Sequence, residues 1–200
     1  MEFELAIQVI QASLKKIEDP HKAFYKILKE VEEIEPGKVW GRLPYDLDKD
    51  IAAATQWIEA EFKSAGAFTG IYFGLDTLNM NDGTGTNVEI AFSSQCVVDD
   101  LEDDSWLSVL DVRGSSHLIR GLYDMQQVYG NEKKYAYEIR SFVEYVVFLG
   151  YSGVVLGAGL KHADHAGSYL AQWGYHDGDL FWLAQKMGSA ITLIPDSKSA

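Results

Sequence analysis

Two hundred residues, 47% of them hydrophobic and 24% charged, suffice for one domain with a sizeable core and exclude global disorder. Seventeen basic residues against 30 acidic ones leave a net charge of −13. A phosphate backbone repels such a surface, and the densest basic stretch, residues 15–29, is interleaved with acids, so nucleic acid is excluded as a partner.

The chain opens on Phe3, Ile7, Ile10, Leu14 and Ile17, spaced alternately by four and three residues, which predicts an amphipathic helix with a narrow apolar seam. Asp19-Pro20 reads as an N-cap followed by proline at the first helical position. A second helix then carries Phe24, Ile27, Val31 and Ile34 on one face and stops at Pro36-Gly37. The two form a helical hairpin over residues 1–36. Its seams can close on each other, on the body of the protein, or on a second copy as a homodimer through the N-terminal helices. A third helix is expected from Asp46 or Asp48 to Lys63, with Ile51, Ala54, Ile58 and Phe62 inward.

The period then shortens from 3.6 to 2. Thr69, Ile71, Phe73 and Leu75 alternate with Phe68, Gly70, Tyr72 and Gly74; after a polar loop at 79–87, Val88, Ile90 and Phe92 alternate with Glu89, Ala91 and Ser93. These predict paired antiparallel strands, with glycines on one face of the first admitting a bulky neighbour closely. Further along, the pattern predicts helices over 117–129 and 131–149, the latter capped by Asn131, a short strand over 152–156, a helix over 163–173 and a last strand over 190–194. The fold class is α+β, or mixed α/β: one domain over residues 1–200, a small mixed sheet with an antiparallel hairpin, covered by helices and preceded by the helical hairpin. No apolar run reaches the ~20 residues of a membrane span, and the acidic start lacks the basic region of a signal peptide. One cysteine, Cys96, cannot close an internal disulfide, so the expected setting is the cytoplasm.

Charge is unevenly spread. Between Lys63 and Arg113 there is no basic residue or histidine, while Asp76, Asp82, Glu89, Asp99, Asp100, Glu102, Asp103, Asp104 and Asp111 fall in that stretch. Five of these carboxylates crowd residues 99–104, just before Trp106. Taken alone, a charge run is a solvated loop. Taken with the global −13, it is a surface that captures a basic protein, with Asp99, Asp100, Glu102, Asp103 and Asp104 steering the encounter and Trp106 as an aromatic anchor.

Motifs for chemistry fall short on spacing. With Gly83 as the sixth residue of a calcium loop, Glu89 stands at position 12, but positions 1 and 3 are Leu78 and Met80, and a hairpin turn at Asp82-Gly83 explains the same residues. Gly157-Ala158-Gly159 lacks the third glycine of a dinucleotide turn, and Gly150-Tyr151-Ser152-Gly153 misses the nucleophile elbow by one residue. Ser115, Ser116 and His117 are sequence neighbours, and Cys96 is a lone thiol. His162, His165, His176 and Asp179 gather imidazole and carboxylate in one stretch, a donor set that suits zinc or another divalent metal, although the spacing matches no metal motif. No motif demands a cofactor. The reading that follows is a non-enzymatic protein-binding module that engages or neutralises a basic partner, in the manner of an immunity protein or inhibitor. The alternative is a small metal-assisted hydrolase built on the histidine cluster.

Overall fold

The computed structural model describes residues 3–15, 17–34, 43–76, 87–130, 142–176 and 180–195. Three helices come first: α1 (Phe3–Leu14), α2 (Pro20–Ile34) and α3 (Leu47–Ala65). As the sequence predicts, Asp19 caps α2 by accepting the Lys22 amide at 3.2 Å, and Asp46 caps α3 by accepting that of Lys49 at 3.3 Å. Ile7, Ile10, Leu14 and Ile17, and Phe24, Ile27 and Val31, are buried where α1 and α2 pack on each other and on a later helix. The seams offered for a second copy are therefore filled within the chain.

The sheet has six strands: β1 (Gly70–Leu75), β2 (Asn87–Ser93), β3 (Val112–Leu118), β4 (Tyr169–Tyr175), β5 (Leu180–Met187) and β6 (Ala190–Leu193). Their order is β3-β2-β1-β4-β5-β6. The predicted hairpin forms, with Ile71 opposite Phe92 and Phe73 opposite Ile90. β4 lies parallel to β1, and every other pairing is antiparallel. Between β3 and β4 come α4 (Arg120–Gly130) and α5 (Phe142–His162).

α5 is where the periodicity misleads. The expected strand over 152–156 and the Gly157-Ala158-Gly159 turn both lie inside this helix, and the expected helix over 163–173 is a loop followed by β4. The reason is that α5 is covered on all sides. Val146 to Leu156 are buried almost without break, so the sequence carries no polar face to reveal a 3.6-residue period. Its glycines mark close helix contacts: a Cβ at Gly150 would come within 3.0 Å of Ile27 on α2, and one at Gly159 within 3.1 Å of Ile58 on α3. β4 is equally unrevealing, since all seven of its residues are buried. The expected helix over 117–129 begins at Arg120, and the residues before it form β3, an exposed edge strand. Asn131, the helix segment 131–141 and the calcium-like loop at 79–86 lie outside the described residues.

One core runs from α1 through the helices to one sheet face, where Ile71, Phe73, Val88, Phe92, Tyr169 and Trp173 point. Asp50 of α3 is buried within it. Its Oδ2 accepts from the Tyr151 hydroxyl of α5 and from the Gly121 amide at the start of α4, both at 2.7 Å. Two donors, one of them in the first turn of a helix, satisfy the buried carboxyl group and tie three helices together. Burial and this carboxylate together push the Tyr151 phenol far above its ordinary range. Among the described residues no helix is long and apolar enough to cross a membrane.

Candidate functional site

Among the described residues, no α-helix packs on the second face of the sheet. The segment 94–111 leaves β2, folds back across this face and returns as β3. Its inner side is a small separate core in which Cys96, Trp106 and Leu170 are buried, with Tyr72, Leu107, Leu110 and Trp182 packed around them. Gly70 makes room for it: a Cβ there would stand 2.7 Å from Trp106 and 2.8 Å from Cys96, the close approach that the glycine face of β1 predicts. Two hydrogen bonds pin the segment to β5, from Trp182 Nε1 to the Leu101 carbonyl at 3.1 Å and from Gln185 Nε2 to that of Val98 at 2.7 Å.

The outer side of the segment carries the carboxylates. Asp99, Asp100, Glu102 and Asp104 are exposed, and Asp103 is half-buried. Asp100 accepts the Glu102 amide at 3.0 Å, and Asp103 accepts the Ser105 amide at 2.9 Å, opening the short 3₁₀ turn Ser105–Ser108. The hydroxyl of Ser105, and then its amide, favour the charged form of Asp103 and hold its carboxyl below the usual range. Asp111 accepts from both the amide and the hydroxyl of Ser94 and is lowered in the same way. Among the described residues, no lysine or arginine pairs with any of the five acids at 99–104. Trp106 is only 1% exposed and belongs to the inner core, so the aromatic anchor assigned to it is unavailable to a partner. The large apolar side chains this segment does expose are Val97 and Val109.

Segment 94–111 covers only part of the face. Beyond Leu107 and Leu110 lies a cavity of about 540 Å³. Tyr72, Glu89, Ala91, Arg113, Ser116 and His176 line it. Arg113 and Ser116 share this side because β3 is irregular between its pairings Ser116 with Glu89 and Arg113 with Ala91, and the extra residue turns the alternation over. The Tyr72 hydroxyl lies 3.1 Å from His176 Nδ1, and His176 Nε2 lies 3.4 Å from Glu89 Oε2.

The histidine cluster named from sequence is dispersed. His162 ends α5 and is exposed, while His165 stacks on Phe68 at 4.6 Å beside Phe62 and Tyr169. Burial, then the charge of Lys186, pushes the His165 imidazole below its ordinary range. His176 stands at the other end of β4, roughly 20 Å away at ~3.3 Å per strand residue, and Asp179 lies outside the described residues. No group of three metal-capable side chains converges among the described residues.

Other candidates separate too. Cys96 lies under the loop, its thiol pushed up to about 12 by burial and then by Asp103, while His117 stacks on Trp57 on the helix side. Ser115 and His117 do share that side of β3, but the Ser115 hydroxyl is given to Glu61. Ser152 is buried in α5 and donates to the Leu149 carbonyl. What the sequence leaves unmarked is the meeting of Tyr72, Glu89 and His176. The signal for Tyr72 and Glu89 is their outward alternation beside the glycine face of β1, but His176 joins them only through the parallel β1–β4 pairing. No family model, curated protein or solved structure matches this chain.

Proposed function

We propose that this chain is a binding module for a basic protein, and that segment 94–111 is its contact surface. One observation carries the reading: five carboxylates without a cationic neighbour among the described residues stand on a loop whose other side is locked into the sheet by Trp106 and Cys96. A rigid anionic loop loses little entropy on association, and its field speeds encounter with a cationic surface. Val97 and Val109 supply the apolar contact that Trp106 cannot, inside a charged rim. Such a module masks a cationic patch on its partner, as an inhibitor or immunity protein would. A reducing, cytoplasmic setting suits its single buried cysteine.

The test is retention of a basic protein from source-cell lysate at low ionic strength, eluted by a salt gradient. The control bait carries Asp99→Asn, Asp100→Asn, Glu102→Gln, Asp103→Asn and Asp104→Asn. A basic protein that is held by the native bait, released by moderate salt and lost with both the control and a Val97→Ser bait supports the reading. Equal retention by native and control baits sinks it.

A further inference from the structure

Three side chains from three neighbouring strands meet at the end of the cavity that segment 94–111 leaves open. Tyr72 comes from β1, Glu89 from β2, and His176 from the residue that follows β4, where its amide donates to the Leu75 carbonyl at 3.1 Å. The phenol is 3.1 Å from Nδ1 and the carboxylate 3.4 Å from Nε2, on opposite sides of one imidazole. A carboxylate beside Nε2 favours the tautomer with its proton there, which leaves Nδ1 as an acceptor for the Tyr72 hydroxyl. Hydroxyl, imidazole and carboxylate in that order are a nucleophile, its base and the group that orients the base. Gly74 permits the meeting: a Cβ at that position would stand 2.5 Å from His176 Cε1 and 2.7 Å from the Tyr72 hydroxyl. The same cavity is lined by Arg113, which makes no ion pair among the described residues. Its volume of about 540 Å³ is in the range of small-molecule sites.

We propose that this cavity is an acyl-transfer site for a small anionic ester or thioester, with Tyr72 as nucleophile, His176 as base, Glu89 positioning His176, and Arg113 holding the anion. The Tyr72 oxygen attacks the acyl carbon while its proton passes to Nδ1. The imidazolium so formed is stabilised by Glu89. It returns the proton to the alcohol or thiol as the bond from the acyl carbon to that leaving group breaks, leaving an acyl ester on Tyr72. Water then attacks this ester, giving one proton to Nδ1, and the carboxylic acid departs as the phenol is restored. The sum is ester plus water to acid plus alcohol or thiol, with no other reactant. This site is independent of the binding surface, since none of the five acids at 99–104 lines the cavity.

The experiment uses para-carboxybenzenesulfonyl fluoride, in which the phenolic oxygen displaces fluoride, and follows each tyrosine by peptide mass spectrometry. Tyr25, 68% exposed, is the internal reference for an unassisted phenol. Tyr72 is expected to react at least about tenfold faster than Tyr25, a modest share of what a positioned base contributes, and His176→Gln to remove that advantage. Glu89→Gln should lower the rate and shift its pH profile. Arg113→Gln should slow this probe but leave benzenesulfonyl fluoride, its uncharged counterpart, unaffected. In the native chain the Tyr72 rate should level off once histidines are neutral, whereas an unassisted phenol keeps climbing toward about pH 10. That profile decides the matter even if a variant fails to fold. Labelling of Tyr72 no faster than Tyr25, or a profile climbing with phenol ionisation, overturns the proposal. The five-fold neutralised loop should label normally, and Tyr72→Phe should retain the basic partner, so each reading can fail without the other.

Discussion

The two faces of the sheet are built by different means. On one, α3 and α5 lie across the strands, α1 and α2 pack on α5, and Trp173, Tyr169, Phe73 and Phe92 are fully enclosed. On the other, among the described residues, one eighteen-residue segment, 94–111, supplies the cover, its small core rests on Trp106, and beside it lies a cavity lined by tyrosine, histidine, glutamate and arginine. The lesson is that packing dictates residue choice on the first face. The second is relieved of that duty, so polar and charged side chains can be held there in fixed positions.

The sharpest way to break this comparison is to cut the same residue type from each face. Trp173→Ala should cost about 4–5 kcal/mol, as the upper range for a large core truncation, and lower the denaturant midpoint for the whole molecule. Trp106→Ala should cost less, about 3 kcal/mol, because a loop can close over the gap. Its amide exchange should rise across 94–111 while α3 and α5 stay protected. Equal global loss in both would mean that segment 94–111 is as integral as the helices.

A smaller effect is expected from His117, which stacks on Trp57 at 4.9 Å on the helix side. Burial lowers its pKa from 6.5, with Asp50 opposing weakly, so the unfolded chain binds this proton more readily than the folded one. Its contribution is complete above the unfolded pKa of about 6.5 and is lost as pH falls from there through the lower folded pKa. Urea midpoints measured between pH 7.5 and 5 should therefore decline, and His117→Phe should flatten that decline. The smallest effect belongs to the acidic loop. Replacing its five carboxylates by amides keeps the acceptors at Asp100 and Asp103 and relieves repulsion, so stability should change by less than about 1 kcal/mol while salt-dependent binding disappears. A large destabilisation would make these acids structural.

The sequence is legible where one side of an element meets water. The helical seams at Ile7, Ile10 and Leu14, the cap at Asp46, the inward set Ile51, Ala54, Ile58 and Phe62, and the β1–β2 alternation all follow from such half-burial. It is illegible where burial is complete, as in α5 and β4, whose runs of apolar residues and glycine carry no period. Exposure without a buried side hides β3 in the same way. The acidic loop is plain from composition alone, but that Trp106 turns inward depends on Gly70 and Leu170 below it. The approach of His176 to Tyr72 spans 104 positions and rests on a parallel pairing that no local pattern announces.

The face covered by segment 94–111 is the one proposed to meet other molecules. The direct measurement is a two-dimensional nitrogen–proton NMR titration of the full chain with a lysine- and arginine-rich peptide at low salt. Shifts concentrated at 94–111, with exposed Glu32 and Glu33 of α2 unmoved, are the predicted result. Shifts of equal size at the α2 acids would show only the attraction of a net charge of −13, and would contradict the assignment of function to one face.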